Sequence, residues 1–225
     1  MKNTLILILV FSIVLSGILP LRAYGQTVDE KLIEDVVLKL KGLLQISDDY
    51  DNFISRVNSY DDEVSFYLNW SDSNEQLPNI TIQADSKGNI ISFSRYSNQP
   101  TESETILPKI SKDEALNLAT DFIKKIDPEV FKELELKESS QPISTWDRYH
   151  SFNFIRNINN IPYNFNTVTI SIDMNTGEVS NLYINWERDM KFPSVNNIIS
   201  LDKAKEAYEE EIGLKLVYKS RGGNI

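Results

Sequence analysis

A repeat with a period near 89 residues constrains the fold of this chain more than any single motif. "ISKDEALNLATDFI", starting at Ile110, returns as "ISLDKAKEAYEEEI", starting at Ile199, an offset of 89. The glycines of "ADSKGNIISF" and "DMNTGEVSNL", Gly88 and Gly177, stand 89 apart as well, and "SFYLNW" from Ser65 matches "SFNFIR" from Ser151 at an offset of 86. Three landmarks at nearly one spacing predict a tandem duplication, with a three-residue length change in the loop between them.

Each copy can be read physically. Ser111 is placed to cap a helix with Glu114 three residues on, and Ile110 and Ala115 are placed as a hydrophobic staple. Ala115, Leu118, Ala119, Phe122, Ile123 and Ile126 then recur at the spacing of one buried helical face, and Ala204, Ala207, Tyr208 and Ile212 repeat it in the second copy. Thr27 with Glu30 starts an N-terminal helix carrying Ile33, Val36, Val37, Leu40 and Leu44. Asp127-Pro128 predicts a short helix over 129–134.

Between the helices the period falls to two. Phe66, Leu68 and Trp70 alternate with Tyr67 and Asn69; Ile80, Ile82 and Ala84 with Thr81 and Gln83; Val168, Ile170 and Ile172 with Thr169 and Ser171. One face is apolar and the other polar, which suits an antiparallel sheet with a helix on one side. Each copy therefore reads as three meandering strands with a packing helix, α+β in class. "NNIPYN" at 159–164 reads as a connection, because Pro162 cannot donate to a ladder. Polar stretches at 100–109 and 135–147 read as linkers or long loops. The organisation expected is a signal peptide over 1–25, a first helix and β-meander unit over 26–109, and a second over 110–225. The last carries a third helix and a truncated C-terminal strand at "LKLVY".

The signal peptide rests on Lys2, the 15-residue apolar run from Leu5 to Leu19, Pro20, and the small-residue sequence Ala23-Tyr24-Gly25. That run is short of the roughly 20 residues of a permanent membrane helix. The chain has no cysteine, so its stability must come from a packed core, and cysteine-ligated metals are excluded. Cleavage after Gly25 lowers the 23 basic residues to 21 against 33 acidic ones, a net charge near −12. This argues against nucleic acid or a membrane surface as partner, since both need a basic face.

The motif-like residues have plain readings beside their chemical ones. Asp173, four positions before Gly177, could belong to a metal or catalytic loop. Its counterpart Asp85 has one residue fewer before Gly88, which a hairpin turn accommodates and a ligand loop does not. His150 is the single histidine, so a two-histidine zinc site is impossible, and its strand pattern places it with Phe152 and Phe154. No Gly-x-Ser-x-Gly elbow or glycine-rich phosphate loop is present. The acids of "SDDYDN" at 47–52 and "DDE" at 61–63 lack the spacing of a calcium loop, and Glu209 to Glu211 read as a solvated helix face. Trp70, Trp146 and Trp186 could form a carbohydrate or peptide platform, although Trp70 and Trp186 end strands, where sheet packing is the plainer role. No residue is assigned as catalytic, cofactor-binding or metal-binding.

The order and spacing of "ISKDEALNLATDFIKKIDPEVF", "YHSFNFIRNINNIPYNFNTVTISIDMNTGEVSNLYINW" and "IISLDKAKEAYEEEIGLKLVY" resemble the YcdB/YcdC repeated-domain family of exported bacterial proteins, whose units are similar to PepSY domains. The resemblance implies a secreted or envelope-located, extracytoplasmic, non-enzymatic module. It also implies a peptide or protein partner, a peptidase being one such partner. The expectation is a binding or regulatory module that holds its partner by a sheet face or edge. A carboxylate-dependent cell-wall hydrolase and a purely structural envelope protein are the alternatives.

Overall fold

The computed structural model describes residues 30–60, 63–97, 108–137, 148–196 and 199–213. The expected signal peptide over 1–25, the Thr27 cap, Trp146 and the expected strand over 214–218 lie outside the described residues. The chain divides into two compact units, Met1–Arg188 and Asp189–Ile225. The first contains α1 (Glu30–Leu44), β1 (Asn52–Tyr60), β2 (Glu63–Ser71), β3 (Asn79–Asp85), β4 (Ile90–Tyr96), α2 (Lys112–Ile126), α3 (Pro128–Lys132), β5 (Leu134–Lys137), β6 (Tyr149–Ile158), β7 (Ile161–Asp173) and β8 (Val179–Asn185). The second contains α4 (Leu201–Glu211).

The strands form one antiparallel sheet in the order β1-β2-β3-β4-β8-β7-β6-β5. The class is α+β, as the alternating strands predict. The two four-strand ribbons meet at β4 and β8, where Phe93 and Leu182, 89 residues apart in sequence, stand opposite each other. Register shifts fall at matching places, Gln83/Ala84 and Ser171/Ile172, just before the last hairpin of each ribbon. Each ribbon has four strands rather than three. β1 and β5 fall in stretches without a clean apolar alternation.

Alternation along the strands puts Phe66, Leu68, Ile82, Phe93, Leu182, Val168, Ile170 and Phe152 on one face. There they form a single core with Val36, Val37 and Leu40 of α1, Ala115, Ala119 and Ile123 of α2, and Val130 of α3. Each fully buried aliphatic or aromatic side chain in such a core contributes about 1.5–3 kcal/mol. The caps form where the sequence places them. Ser111 accepts from the Glu114 N–H at 3.2 Å, and Asp127 accepts from Val130 N at 3.1 Å with Pro128 opening α3. The second unit departs from expectation. Ser200 caps α4, but the face of Tyr208 and Ile212 expected to be buried is exposed, and no residue of α4 is buried.

The hairpin glycines explain how each ribbon meets its own helix. Gly88 and Gly177 have φ of +74° and +72°, a region that L side chains avoid. A Cβ on Gly88 would lie 3.1 Å from Lys39 Cδ of α1, and one on Gly177 would lie 3.2 Å from Leu118 Cδ1 of α2. Both turns thus need glycine for conformation, and a Cβ at either position would press on a side chain of the neighbouring helix.

The connections between the second and third strands of each ribbon differ in kind. Between β6 and β7 only Asn159 and Asn160 turn, with φ of +55° and +62°, as a two-residue hairpin of primed type requires. β7 then includes Pro162, opposite Asn157, so the expected connection over 159–164 is strand from Ile161 onward. Proline is tolerated because this end of the hairpin is exposed, where a missing backbone donor costs little. Between β2 and β3 a longer loop is organised by Asp72, whose carboxylate accepts from Asn74 N (3.1 Å), Gln76 N (2.7 Å) and Leu77 N (3.1 Å). The Asn74 hydrogen bond, with those from Gln76 and Leu77, holds the Asp72 carboxyl below its ordinary 3.8. A depressed folded value gives stability that is present above 3.8 and lost as pH falls through the folded value. Amide shifts of Gln76 and Leu77 are therefore expected to stay constant from neutral pH to about 4 and to move below it. In Asp72→Asn the same amides should be displaced at neutral pH and show no acid transition.

Candidate functional site

The sheet leaves two edges, and they are built differently. β5 is four residues long and carries Glu135 and Lys137, the short, charged form that discourages pairing with another chain. Glu135 is further occupied as an acceptor from the Asn157 side-chain amide. β1 has nine residues, "NFISRVNSY", no proline and one charged side chain, Arg56. Among the described residues it pairs only with β2, through an unbroken register from Asn52↔Ser71 to Tyr60↔Glu63. Among the described residues nothing pairs with its other side.

A pocket of about 330 Å³ opens where the end of β4, the start of β6 and the β7–β8 turn converge, lined by Arg95, Tyr96, Arg148, Tyr149, Asp173 and Glu178 among others. Arg95 Nη1 donates to Glu178 Oε1 at 2.6 Å, linking the two ribbons, and Arg148 Nε donates to Asp173 Oδ2 at 2.9 Å. The Asp173 hydrogen bond raises the Arg148 guanidinium above its ordinary value, so it stays charged throughout any accessible pH range. Nearby, Tyr50 donates to Pro78 O at 2.7 Å, and burial pushes its hydroxyl above the usual tyrosine value. Chemically the pocket is a pair of neutralised ion pairs. Both carboxylates act as acceptors for guanidinium donors.

The family model described as the YcdB, YcdC repeated domain matches residues 34–186. The chain belongs to that family. The match begins within α1 and ends just after β8, so the eight-stranded sheet and its three covering helices are the YcdB/YcdC domain. A similar solved structure is the C-terminal domain of YpeB from Bacillus megaterium, 19% identical, covering 81% of this chain and 75% of that one with a TM-score of 0.51, a likeness of fold. No curated protein matches the chain. Among the described residues no helix is long and apolar enough to cross a membrane.

Within the YcdB/YcdC domain the residues singled out from sequence are dispersed. Asp173 closes a turn: Oδ1 accepts from Asn175 N (2.8 Å) and Thr176 N (3.1 Å), and its carbonyl accepts from Gly177 N. Asp85 does the same for Lys87 N and Asn89 N. Both aspartates thus organise hairpin turns, but Asp173 also holds Arg148, which the turn pattern does not reveal. His150 is 4% exposed beside Phe152 and Phe154, and its Nε2 lies 2.9 Å from Ile110 O. A carbonyl only accepts, so Nε2 carries the proton and fastens the approach to α2 onto β6. Trp70 is buried against Phe53 with ring centroids 4.9 Å apart, and Trp186 stacks under Arg156 at 4.9 Å. Both tryptophans serve sheet packing. Of the acids at 47–52, Asp48 pairs with Lys41 and Asp51 accepts from Ser73 N; Glu209 to Glu211 are exposed on α4.

The features sequence reasoning missed are the β1 edge and a buried arginine. Arg156, 5% exposed, is held by Glu133, Asn166 and the Glu187 carbonyl. These partners lie 10 to 31 positions from it in the chain, so no local spacing announces them.

Proposed function

We propose that the chain is an extracytoplasmic, non-enzymatic binding module that holds an extended peptide or protein segment as an added strand beside β1, a peptidase being one such partner. The single observation that carries this reading is the asymmetry of the edges. β5 is protected against pairing and β1 is long, regular and almost uncharged. Main-chain hydrogen bonds would give such a partner its affinity, and the alternate side chains of β1 its selectivity. The tandem organisation supports the same reading, because a duplication joined at β4 and β8 leaves one β1-type edge at each end of the sheet, and only one end is blunted. The ion-paired pocket favours no hydrolase.

The test exploits the alternation of backbone groups in an antiparallel pair, where of two adjacent residues one directs its N–H to the neighbouring strand and the other to the outside. Of Ser55→Pro and Arg56→Pro, one is therefore expected to lose a ladder bond to β2 and unfold at lower temperature. The other should melt within about 2 °C of the parent, a shift below 1 kcal/mol. That second variant is expected to weaken capture of the peptide or protein partner by about tenfold or more. Undiminished capture by a proline variant with an intact fold would place the partner elsewhere.

A further inference from the structure

The sheet face opposite the helices has an unusual chemistry. Following the register across the six central strands gives one row of Tyr67, Gln83, Ser92, Tyr183, Thr169 and Asn153. The adjacent row is Asn69, Thr81, Ser94, Asn181, Ser171 and Ser151. All twelve are half-buried or exposed, and none is charged or aliphatic. A quarter of the chain is charged, so about three charges would be expected at twelve surface positions. Charge reappears at the ends of the first row, on the edge strands, with Arg56 opposite Tyr67 and Lys137 opposite Asn153.

The side chains within the rows are held by one another. Ser151 and Ser171 hydroxyls are 2.9 Å apart, Thr169 Oγ1 donates to Asn153 Oδ1 at 2.9 Å, and Asn69 Nδ2 donates to Thr81 Oγ1 at 3.0 Å. Such bonds fix rotamers in advance, and less ordering is left to occur on binding. Tyr183 is 53% exposed in the middle of the first row, and Tyr96, 58% exposed, flanks the second. Six strands at about 4.8 Å spacing make each row about 24 Å long, and the rows lie about 7 Å apart.

Partner classes can be compared against this surface by charge. An anionic polymer needs lysine or arginine, and the rows have none. A protein interface has an apolar centre, and the rows contain no aliphatic side chain. A neutral polymer rich in hydroxyl groups loses no charge solvation here. It exchanges its water for side chains that both donate and accept, while its apolar ring faces can lie on tyrosine, whose body is apolar and whose tip is polar. We propose that this face binds an uncharged polysaccharide, laid across the strands along the two rows. The surface and the ligand are distinct from the β1 edge and its peptide.

Co-sedimentation of the purified chain with insoluble cellulose, chitin and starch granules tests the proposal. Retention on at least one of the three is expected, and it should persist in 0.5 M salt because no ion pairs are formed (about a 4 Å Debye length). Ser94→Lys/Ser171→Lys puts two charges on either side of Asn181 at solvent-facing strand positions and should weaken retention by about tenfold. Tyr183→Ala, melting like the parent, should do the same, whereas the folded β1 proline variant should bind polysaccharide as the parent does. Failure to sediment with all three polymers overturns the proposal, as does retention unchanged in both row variants. Concentration-dependent dimerisation abolished by the lysine pair would overturn it too, by assigning the face to a second copy of the chain.

Discussion

Phe93→Ala is expected to lower the unfolding free energy by about 3–5 kcal/mol, the cost of removing a large ring from a close-packed core. Phe93 is 3% exposed and occupies the point where the two ribbons join, facing Leu182 of β8 on one side and Ile82 of β3 on the other. Its ring centroid lies 5.8 Å from that of Phe122, so α2 also rests on it. That contact crosses the boundary expected from the sequence at residue 110: a helix that leads into the second ribbon packs on a strand of the first. The core residues of both ribbons belong to one cluster. Urea unfolding of the parent is therefore expected as a single transition, and in Phe93→Ala its midpoint should fall without a change in slope. Phe93→Leu, which keeps most of the volume, should cost under about 1.5 kcal/mol. Two separate transitions in the parent, or a small effect of the alanine, would mean that the ribbons are held together elsewhere.

The elements legible in the sequence are those whose signal is local. Ser111 and Asp127-Pro128 announce their helices because a cap needs only residues three apart. Phe66 to Trp70 and Val168 to Ile172 announce strands because half-burial imposes a period of two. β1 escaped notice because its core-facing positions are Phe53, Ser55 and Val57, and the serine opposite Leu68 breaks the apolar run. β5 is too short for a period, and Pro162 hid the start of β7. The exposed face of α4 shows the converse: an amphipathic pattern states that a face could be buried, while burial depends on what covers it. The candidate binding surfaces were legible only once the register was known. Asn69, Thr81, Ser94, Asn181, Ser171 and Ser151 come from six strands and form a row through pairing alone.

Arg156→Ala should be the most damaging substitution of a polar residue, at about 3 kcal/mol, out of the 5–15 kcal/mol that holds a domain of this kind folded. The Arg156 side chain is 6% exposed. Nε donates to Glu133 Oε2 at 2.6 Å, Nη1 donates to Asn166 Oδ1 and to Glu187 O at 2.9 Å each, and the guanidinium stacks on Trp186. One side chain thereby joins β6 to the residue before β5, to the irregular stretch of β7 and to the segment leaving β8. The Glu133 carboxylate is 35% exposed and can recover water when its partner is lost, so the ion pair supplies the smaller part of the effect. Asn166 is fully buried and cannot, and an orphaned buried amide costs about 1–3 kcal/mol. Arg156→Lys keeps the charge but has no planar fork to reach three acceptors, and most of the loss should remain. Arg156→Met/Asn166→Leu removes donor and acceptor together and should recover part of the stability lost in Arg156→Ala. If the double variant is instead less stable than Arg156→Ala, the arginine's charge, and not the satisfaction of Asn166, is what the fold requires at this position.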